Sequence, residues 1–182
     1  MSKLPTVAII GQANVGKSSL FNRLTRSRTA IVAREAGTTR DNVVGKVSYK
    51  RRNVDSAPSD DYSQFWLIDT AGLKTAEDEF EATIQDQIAD ASAAADVILV
   101  TVDSTVYPSD ADRQLAKKAL KSGKPVILIT NKADLKGSLS IDEFKRLGIK
   151  NIIKTSAEHS IGISELLDSI AELIPPATET AP

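Results

Sequence analysis

The chain has 182 residues, 23 of them basic and 24 acidic, and its isoelectric point is about 5.9. This balance excludes a bulk field that would attract nucleic acid or a membrane, so a polyanion partner must be held by a local site. The chain has no cysteine, which excludes disulfides and thiolate metal sites. Its length fits one domain with a full core, and no apolar run is long enough for a signal peptide or a membrane span. We therefore expect a soluble, cytoplasmic protein without a membrane partner.

Short apolar segments alternate with segments of helical period, which predicts an α/β fold with a mostly parallel sheet. Six strands are predicted, over 6–10, 42–49, 65–69, 97–103, 125–130 and 151–155. Five are nearly continuous in apolar residues, whereas "NVVGKVSY" alternates and predicts an edge strand antiparallel to the next strand. Apolar residues spaced by three or four predict helices over 17–25, 79–94, 110–122, 141–147 and 163–173, on both faces of the sheet.

Two polar segments fall outside this alternation. Residues 50–64, "KRRNVDSAPSDDYSQ", predict a mobile hairpin tip without chemistry of its own. Residues 175–182, "PPATETAP", cannot continue a helix and predict a linker. We expect one domain over 1–174, followed by a linker to a further part of a longer protein.

The segment "GQANVGKS", Gly11 to Ser18, matches the phosphate-loop pattern G-x-x-x-x-G-K-[ST]. It lies between a predicted strand and a predicted helix, where backbone N–H groups and the helix dipole converge on phosphate. Lys17 would neutralise the β- and γ-phosphates, and the Ser18 hydroxyl would bind Mg²⁺. The alternative is a glycine turn leading into a surface helix. The residues predicted to bind phosphate here are Gly11, Asn14, Val15, Gly16, Lys17, Ser18 and Ser19.

The segment "DTAGLK" follows the apolar run "FWLI". Asp69 would give Mg²⁺ a nearby carboxylate, and Gly72 would let a backbone N–H approach the γ-phosphate. A plain strand-end turn is the alternative. Many GTP-hydrolysing switches carry a glutamine after this glycine to orient the attacking water, whereas Leu73 has no group that could do so.

The segment "NKAD" directly follows a predicted strand. Guanine offers two adjacent donors, N1–H and the 2-amino group, which one carboxylate can accept; this places Asp134 on the base edge. We expect the Lys132 stem to lie along the ring and Asn131 to tie this loop to the phosphate loop. Adenine lacks the 2-amino donor, so a kinase using ATP fits worst and GTP or GDP is the expected ligand. A solvated turn is the alternative reading of this tetrapeptide.

The segment "TSAE" follows the last predicted strand and completes the predicted guanine site. The backbone N–H of Ala157 would donate to guanine O6, with Ser156 and Glu158 beside it. His159, the only histidine, is predicted to be a surface residue.

With these motifs the chain resembles the translation-factor-type GTPases of the Era and TrmE group, and within it the first G domain of the EngA (Der) family. The likeness covers residues 6–174 and is carried by "NVGKSSLFNRLTRSRTAIVA", "GTTRD", "DTAGL", "NKAD" and "SAEHSIGISELLDSI". It implies a P-loop NTPase G domain with a six-stranded sheet, Mg²⁺-dependent GTP hydrolysis, and a switch in large ribosomal subunit assembly. Family members add a second G domain and a KH-like RNA-binding domain, so the ribosome is the implied partner of the full-length protein; this part alone would be monomeric.

Two other functions stay open from the sequence. One is the GTPase domain of a TrmE-like tRNA-modification factor, and the other is a GTP-dependent docking module with little hydrolysis. The chain departs from the EngA pattern at Gln12, Ala13 and Ala36, and in its longer 50–64 hairpin.

The resemblance also implies how GTP is hydrolysed without the glutamine. Thr39 of "GTTRD" would close on Mg²⁺ and the water, and Asn14 would bind a stimulating K⁺. Glu81, nine residues after Gly72, would orient the water. The alternatives are that Asn14 only stabilises its turn and that Glu81 belongs to an acidic helix start. The implied catalytic set is Asn14, Lys17, Thr39, Gly72 and Glu81.

Overall fold

Seven strands form one sheet in the computed structural model, which describes residues 4–25, 30–34, 41–50, 62–69 and 84–174. The strands are β1 (Thr6–Gly11), β2 (Ala30–Arg34), β3 (Asp41–Lys50), β4 (Tyr62–Asp69), β5 (Val97–Asp103), β6 (Val126–Asn131) and β7 (Ile152–Lys154). Their order is β2-β3-β4-β1-β5-β6-β7. The strands from β4 to β7 pair in parallel, and β3 is antiparallel to both of its neighbours.

The predicted α/β class and its mostly parallel sheet are confirmed, and all six predicted strands are present. The sheet has seven strands because the run "AIVAR" of β2 pairs antiparallel along the outer side of β3. The predicted edge strand β3 is therefore covered, and β2 forms that edge. Five residues between two polar stretches give too short an apolar run to predict a strand from the pattern alone.

Four α-helices flank the sheet, together with one 3₁₀ helix, Ile141–Leu147, in the part of the chain that is described. The α-helices are α1 (Lys17–Thr25), α2 (Ile84–Ala94), α3 (Asp110–Lys121) and α4 (Ile163–Leu173). Ser109 caps α3 in a capping box with Asp112. The 3₁₀ helix has the predicted bounds but not the α geometry, since it is confined between the cap Ser140 and Gly148, whose φ is 81°.

Some predicted segments lie partly or wholly outside the described residues. These are the start of the predicted helix at 79–83 and the linker at 175–182. The predicted hairpin tip is shorter than 50–64, because Lys50 pairs with Tyr62 in the β3–β4 ladder; only 51–61 lies outside. None of the described helices is long and apolar enough to cross a membrane.

The core has two layers, one on each face of the sheet. On one face α1 and α4 pack on alternate strand residues such as Val7, Leu99 and Ile129. On the other face α2, α3 and the 3₁₀ helix cover the intervening residues, such as Ile10 and Val100. Because apolar residues point to both faces, the central strands read as continuous apolar runs.

The sheet brings the motif-bearing loops to one edge. β1, β4, β5, β6 and β7 are parallel, so their carboxyl ends lie on the same side. β1 lies between β4 and β5, and the chain crosses from one side of β1 to the other at this position. The crevice at such a reversal is where open α/β sheets bind ligands.

Candidate nucleotide-binding site

The phosphate loop begins at Gly11, where β1 ends, and leads into α1. Two of its residues have a left-handed backbone, Asn14 with φ 66° and Gly16 with φ 94°. The Lys17 ammonium donates to the Gly11 carbonyl at 2.5 Å, so the side chain folds back over the loop, and the residue is 8% exposed. Ser18 and Ser19 open α1 and are exposed. The loop thus presents a cation and two hydroxyl-bearing residues at a helix N-terminus, where anions bind.

Asn131 joins the phosphate loop to the loop after β7. It is 2% exposed, and its Nδ2 donates to the Val15 carbonyl at 3.0 Å. Its Oδ1 accepts from the Thr155 hydroxyl at 3.0 Å and from the Ala157 backbone N–H at 3.3 Å. Gly16 is required here, because a Cβ at this position would overlap Asn131 Nδ2. The side chain fixes three loops relative to one another.

Asp134 projects its carboxylate between two groups of the loop after β7. Its Oδ1 accepts from the Ser156 hydroxyl at 2.8 Å, and its Oδ2 lies 3.2 Å from His159 Nε2. The Asp134 side chain is 18% exposed and that of His159 is 62% exposed. Glu158 lies beside them and is exposed. A carboxylate oriented in this way can accept hydrogen bonds from two adjacent N–H donors on the edge of a planar ligand.

Lys132 spans from the segment "NKAD", which is predicted to bind guanine, to the phosphate loop. Its backbone is left-handed, with φ 63°, and its ammonium donates to the Asn14 carbonyl at 2.7 Å and to Asp103 Oδ2 at 3.1 Å. Burial acts to raise the pKa of Asp103, but hydrogen bonds from Thr105 and the Lys132 ammonium outweigh it and hold that pKa below its usual value.

The described residues that are predicted to bind cations lie at the same edge of the sheet. Asp69 ends β4, is 2% exposed, and pairs in register with Ile9 of β1, two residues before the phosphate loop. Its carboxylate and the Ser18 hydroxyl are oxygen donors of the kind that Mg²⁺ takes. The Asn14 side chain is exposed and makes no hydrogen bond with any residue that the structure describes. Thr39, Gly72, Leu73 and Glu81 lie outside the described residues.

Three further residues support the site and were not predicted from the sequence. Arg23 of α1 donates to the carbonyls of Ala157, at 2.7 Å, and Glu158, at 2.9 Å. Gln12 donates to the Ser109 hydroxyl at 2.6 Å and to Asp112 at 2.7 Å, joining the phosphate loop to the start of α3. Asp103 is the third. Its position at the end of the predicted strand "VILVTVD" could have indicated a role in the site, because a carboxylate at this strand end lies at the edge where the motifs meet. The sequence around Arg23 and Gln12 gives no such signal.

Comparisons with known proteins agree with this geometry. The sequence profile of the 50S ribosome-binding GTPase family matches residues 6–132. A GTPase Der of Porphyromonas gingivalis is 41% identical over 171 residues, which cover 93% of this chain and 37% of that protein. The chain thus spans little more than a third of the length of the curated relatives that it matches.

Two solved structures of Era are similar in fold. Aquifex aeolicus Era, as a variant bound to GDP and AlF₄⁻, has a TM-score of 0.71 at 27% identity, covering 100% of this chain and 60% of that one. Era in complex with MgGDPNP and nucleotides 1506–1542 of 16S ribosomal RNA has a TM-score of 0.70 at 26% identity, with the same coverage. With the profile match, the Der relatives and the arrangement of the loops, the chain belongs to the 50S ribosome-binding GTPase family.

Proposed function

We propose that this chain binds GTP and GDP and hydrolyses GTP to GDP and phosphate as a molecular switch. The observation that carries the proposal is the bridge made by Asn131, whose amide bonds to Val15 of the phosphate loop and to Ala157 of the predicted guanine loop. A site for phosphate alone has no need of this bridge. A site that recognises base and phosphates together needs the two loops in fixed relation.

Guanine would be read by Asp134 and Ala157. The carboxylate would accept N1–H and the 2-amino group, and the Ser156 hydroxyl, 2.8 Å from Oδ1, keeps it oriented for this. The Ala157 N–H, now directed at Asn131 Oδ1 across 3.3 Å, is the donor that we assign to guanine O6. Adenine presents a donor where guanine has O6, so it would meet this N–H unfavourably.

Mg²⁺ fits the donors at the phosphate end. Ser18 and Asp69 would hold it, and Thr39 would join them from the first switch. When bound, the ion neutralises charge on the β- and γ-phosphates. Lys17 would move from the Gly11 carbonyl to the phosphates and stabilise the charge that develops on the leaving oxygen as water attacks the γ-phosphorus. Gly72 and Glu81 belong to the same proposal, as γ-phosphate contact and water-orienting group.

K⁺ stimulation is the part of the proposal that concerns Asn14. Its backbone carbonyl already accepts from Lys132, whereas its exposed side chain is not bonded to any described residue, so the amide oxygen can serve a cation. A bound K⁺ would offset negative charge near the phosphates. The test is GTP turnover in KCl and in NaCl for the wild type and Asn14→Ala. We expect KCl to accelerate the wild type only; equal wild-type rates would remove the K⁺ role.

The cellular role that we propose is in assembly of the large ribosomal subunit, in the cytoplasm. The family description and the Der relatives support it, and an Era structure in complex with ribosomal RNA supports an RNA-containing partner. Co-sedimentation tests it: the protein bound to a non-hydrolysable GTP analogue should pellet with purified 50S subunits and remain free with GDP. Equal pelleting with 30S subunits would contradict the large-subunit assignment.

Base selectivity tests the nucleotide assignment itself. GDP, IDP and ADP would compete with a fluorescent GDP on the wild type and on Asp134→Asn, with Asp142→Asn, an exposed carboxylate of the 3₁₀ helix, as the matched control. We expect IDP, which lacks the 2-amino group, to bind about tenfold more weakly than GDP. Asp134→Asn should lose GDP affinity by about 100-fold or more. Displacement by ADP as effective as by GDP would refute guanine recognition.

A further inference from the structure

Asp103 contacts the candidate nucleotide site through Lys132, whose ammonium is 3.1 Å from its Oδ2. It ends β5 and pairs in register with Asn131 of β6, which places it next to Lys132. The Ser104 N–H donates to the Asn131 carbonyl at 2.9 Å and extends this pairing past the strand ends. The sheet therefore sets the position of Asp103 relative to the segment "NKAD".

The turn after β5 fixes the direction of the Asp103 carboxylate. Its Oδ1 accepts from the Thr105 backbone N–H at 2.8 Å and from the Thr105 hydroxyl at 2.6 Å. The other oxygen, Oδ2, is left facing the Lys132 ammonium at 3.1 Å. The two hydrogen bonds from Thr105 fix the orientation of the carboxylate. The Asp103 side chain is only 18% exposed.

The Lys132 ammonium then bonds to the Asn14 carbonyl, 2.7 Å away. A lysine side chain has many rotamers, and holding one of them on binding costs free energy. With Asp103 and Asn14 as its two partners, the Lys132 ammonium is already held between β5 and the phosphate loop. Its carbon stem is then placed for a purine before any nucleotide arrives.

We propose that Asp103 is a positioning residue for nucleotide binding, which holds Lys132 on the phosphate loop and so fixes the surface under the base. The inference rests on the proposed GTP site and deepens it. Asp103 acts through Lys132, not by touching the nucleotide. The carbon stem of Lys132 would pack on the face of the purine ring and not on its edge groups. Loss of Asp103 should therefore weaken binding by the same factor for any purine that Asp134 accepts.

The decisive experiment is a double-mutant cycle on GDP affinity with Asp103→Asn, Lys132→Met and the double variant. Asparagine has the shape of aspartate but loses the charge and turns an amide towards the lysine. For a partly exposed ion pair we expect Asp103→Asn to weaken GDP binding about fivefold, and IDP binding by the same factor. In the Lys132→Met background the same change should have no further effect.

Each outcome has a defined meaning. Full additivity of the two variants, or a changed ratio of GDP to IDP affinity, overturns the positioning role. Asp110→Asn is the control, since this carboxylate pairs with Arg113 on the exposed start of α3 and should leave GDP affinity unchanged. If the wild type and this control fail to bind GDP, the nucleotide site itself is refuted.

Thr105 gives a second test that does not depend on the folding of Asp103→Asn. Thr105→Val removes the hydroxyl bond to Oδ1 and keeps the backbone bond, whereas Thr105→Ser keeps both. We expect Thr105→Val to weaken GDP binding about twofold and Thr105→Ser to match the wild type. Equal affinity of all three proteins would contradict an oriented carboxylate.

Discussion

Asn131 and Val15 are 116 positions apart in the sequence and are joined by a hydrogen bond of 3.0 Å between an amide nitrogen and a backbone carbonyl. The amide oxygen accepts in turn from Thr155 and Ala157, so one side chain joins the phosphate loop to the loop after β7. We therefore expect Asn131 to contribute to both nucleotide affinity and stability.

Asn131→Ala should therefore reduce both the GDP affinity and the stability of the protein. The change leaves the Val15 carbonyl, the Thr155 hydroxyl and the Ala157 N–H without this partner in a buried place, at a cost of about 3 kcal/mol in the free energy of unfolding. Urea unfolding measures that cost, and titration with labelled GDP measures the affinity. Asn151→Ala, at an exposed position before β7, is the control. A stability loss below that of the control would contradict the bridge.

Gly16 and Gly137 form a matched pair for testing steric contact with Asn131. Both have positive φ, 94° and 89°, but a Cβ at Gly16 would overlap Asn131 Nδ2, whereas a Cβ at Gly137 has no neighbour within 4 Å. Alanine at either site carries a backbone strain of about 1 kcal/mol. Only Gly16→Ala should also lose GDP binding, as measured by calorimetry. Equal GDP affinities would show that the loop tolerates a side chain there.

Arg23 should act on the guanine loop through two carbonyls. Arg23→Gln removes the guanidinium that bonds to both the Ala157 and the Glu158 carbonyls, so the Ala157 N–H should be less well directed at the proposed position of guanine O6. We expect GDP affinity to fall about fivefold. Affinity for the diphosphate of 2-aminopurine riboside, which lacks O6, should be unchanged by the substitution. Arg113→Gln, which loses only an exposed ion pair, is the control.

Much of the fold followed from the sequence because its strands are covered on both faces. Continuous apolar runs such as "VILVTVD" have few alternatives to a buried parallel strand, and β5 has the predicted bounds. The strand β2 was missed, since an edge strand of five residues is fixed by pairing with β3 and not by its own pattern. The 3₁₀ geometry of Ile141–Leu147 was missed for a similar reason, because the caps at Ser140 and Gly148, and not the spacing of apolar residues, determine the type of this short helix.

The candidate site was predictable where a motif carries its own geometry. The phosphate loop and the predicted guanine loops are local patterns that directly follow strands, so parallel pairing brings them together. Arg23 and Asp103 could not be assigned in the same way. Their role lies in contacts between residues up to 135 positions apart, as between Arg23 and Glu158, which no local pattern encodes.

The charge state of Asp103 gives a prediction about pH. Its pKa is below the ordinary 3.8, so its contribution to stability is fully present above that value and is lost as the pH falls through the lower folded-state pKa. Guanidinium unfolding of the wild type and Asp103→Asn should therefore give a constant difference in unfolding free energy between pH 7 and about pH 5. The difference should shrink only in more acidic solution. If the two proteins already had equal unfolding free energies at pH 5, the lowered pKa of Asp103 would be contradicted.

Steady-state phosphate release from GTP, with Mg²⁺ in KCl and a large excess of ATP as competitor, tests the central claim most directly. If the chain is a GTP-hydrolysing switch, each molecule releases many phosphates, and ATP does not slow the reaction. At most one phosphate per molecule, or inhibition by ATP in proportion to its excess, would contradict it.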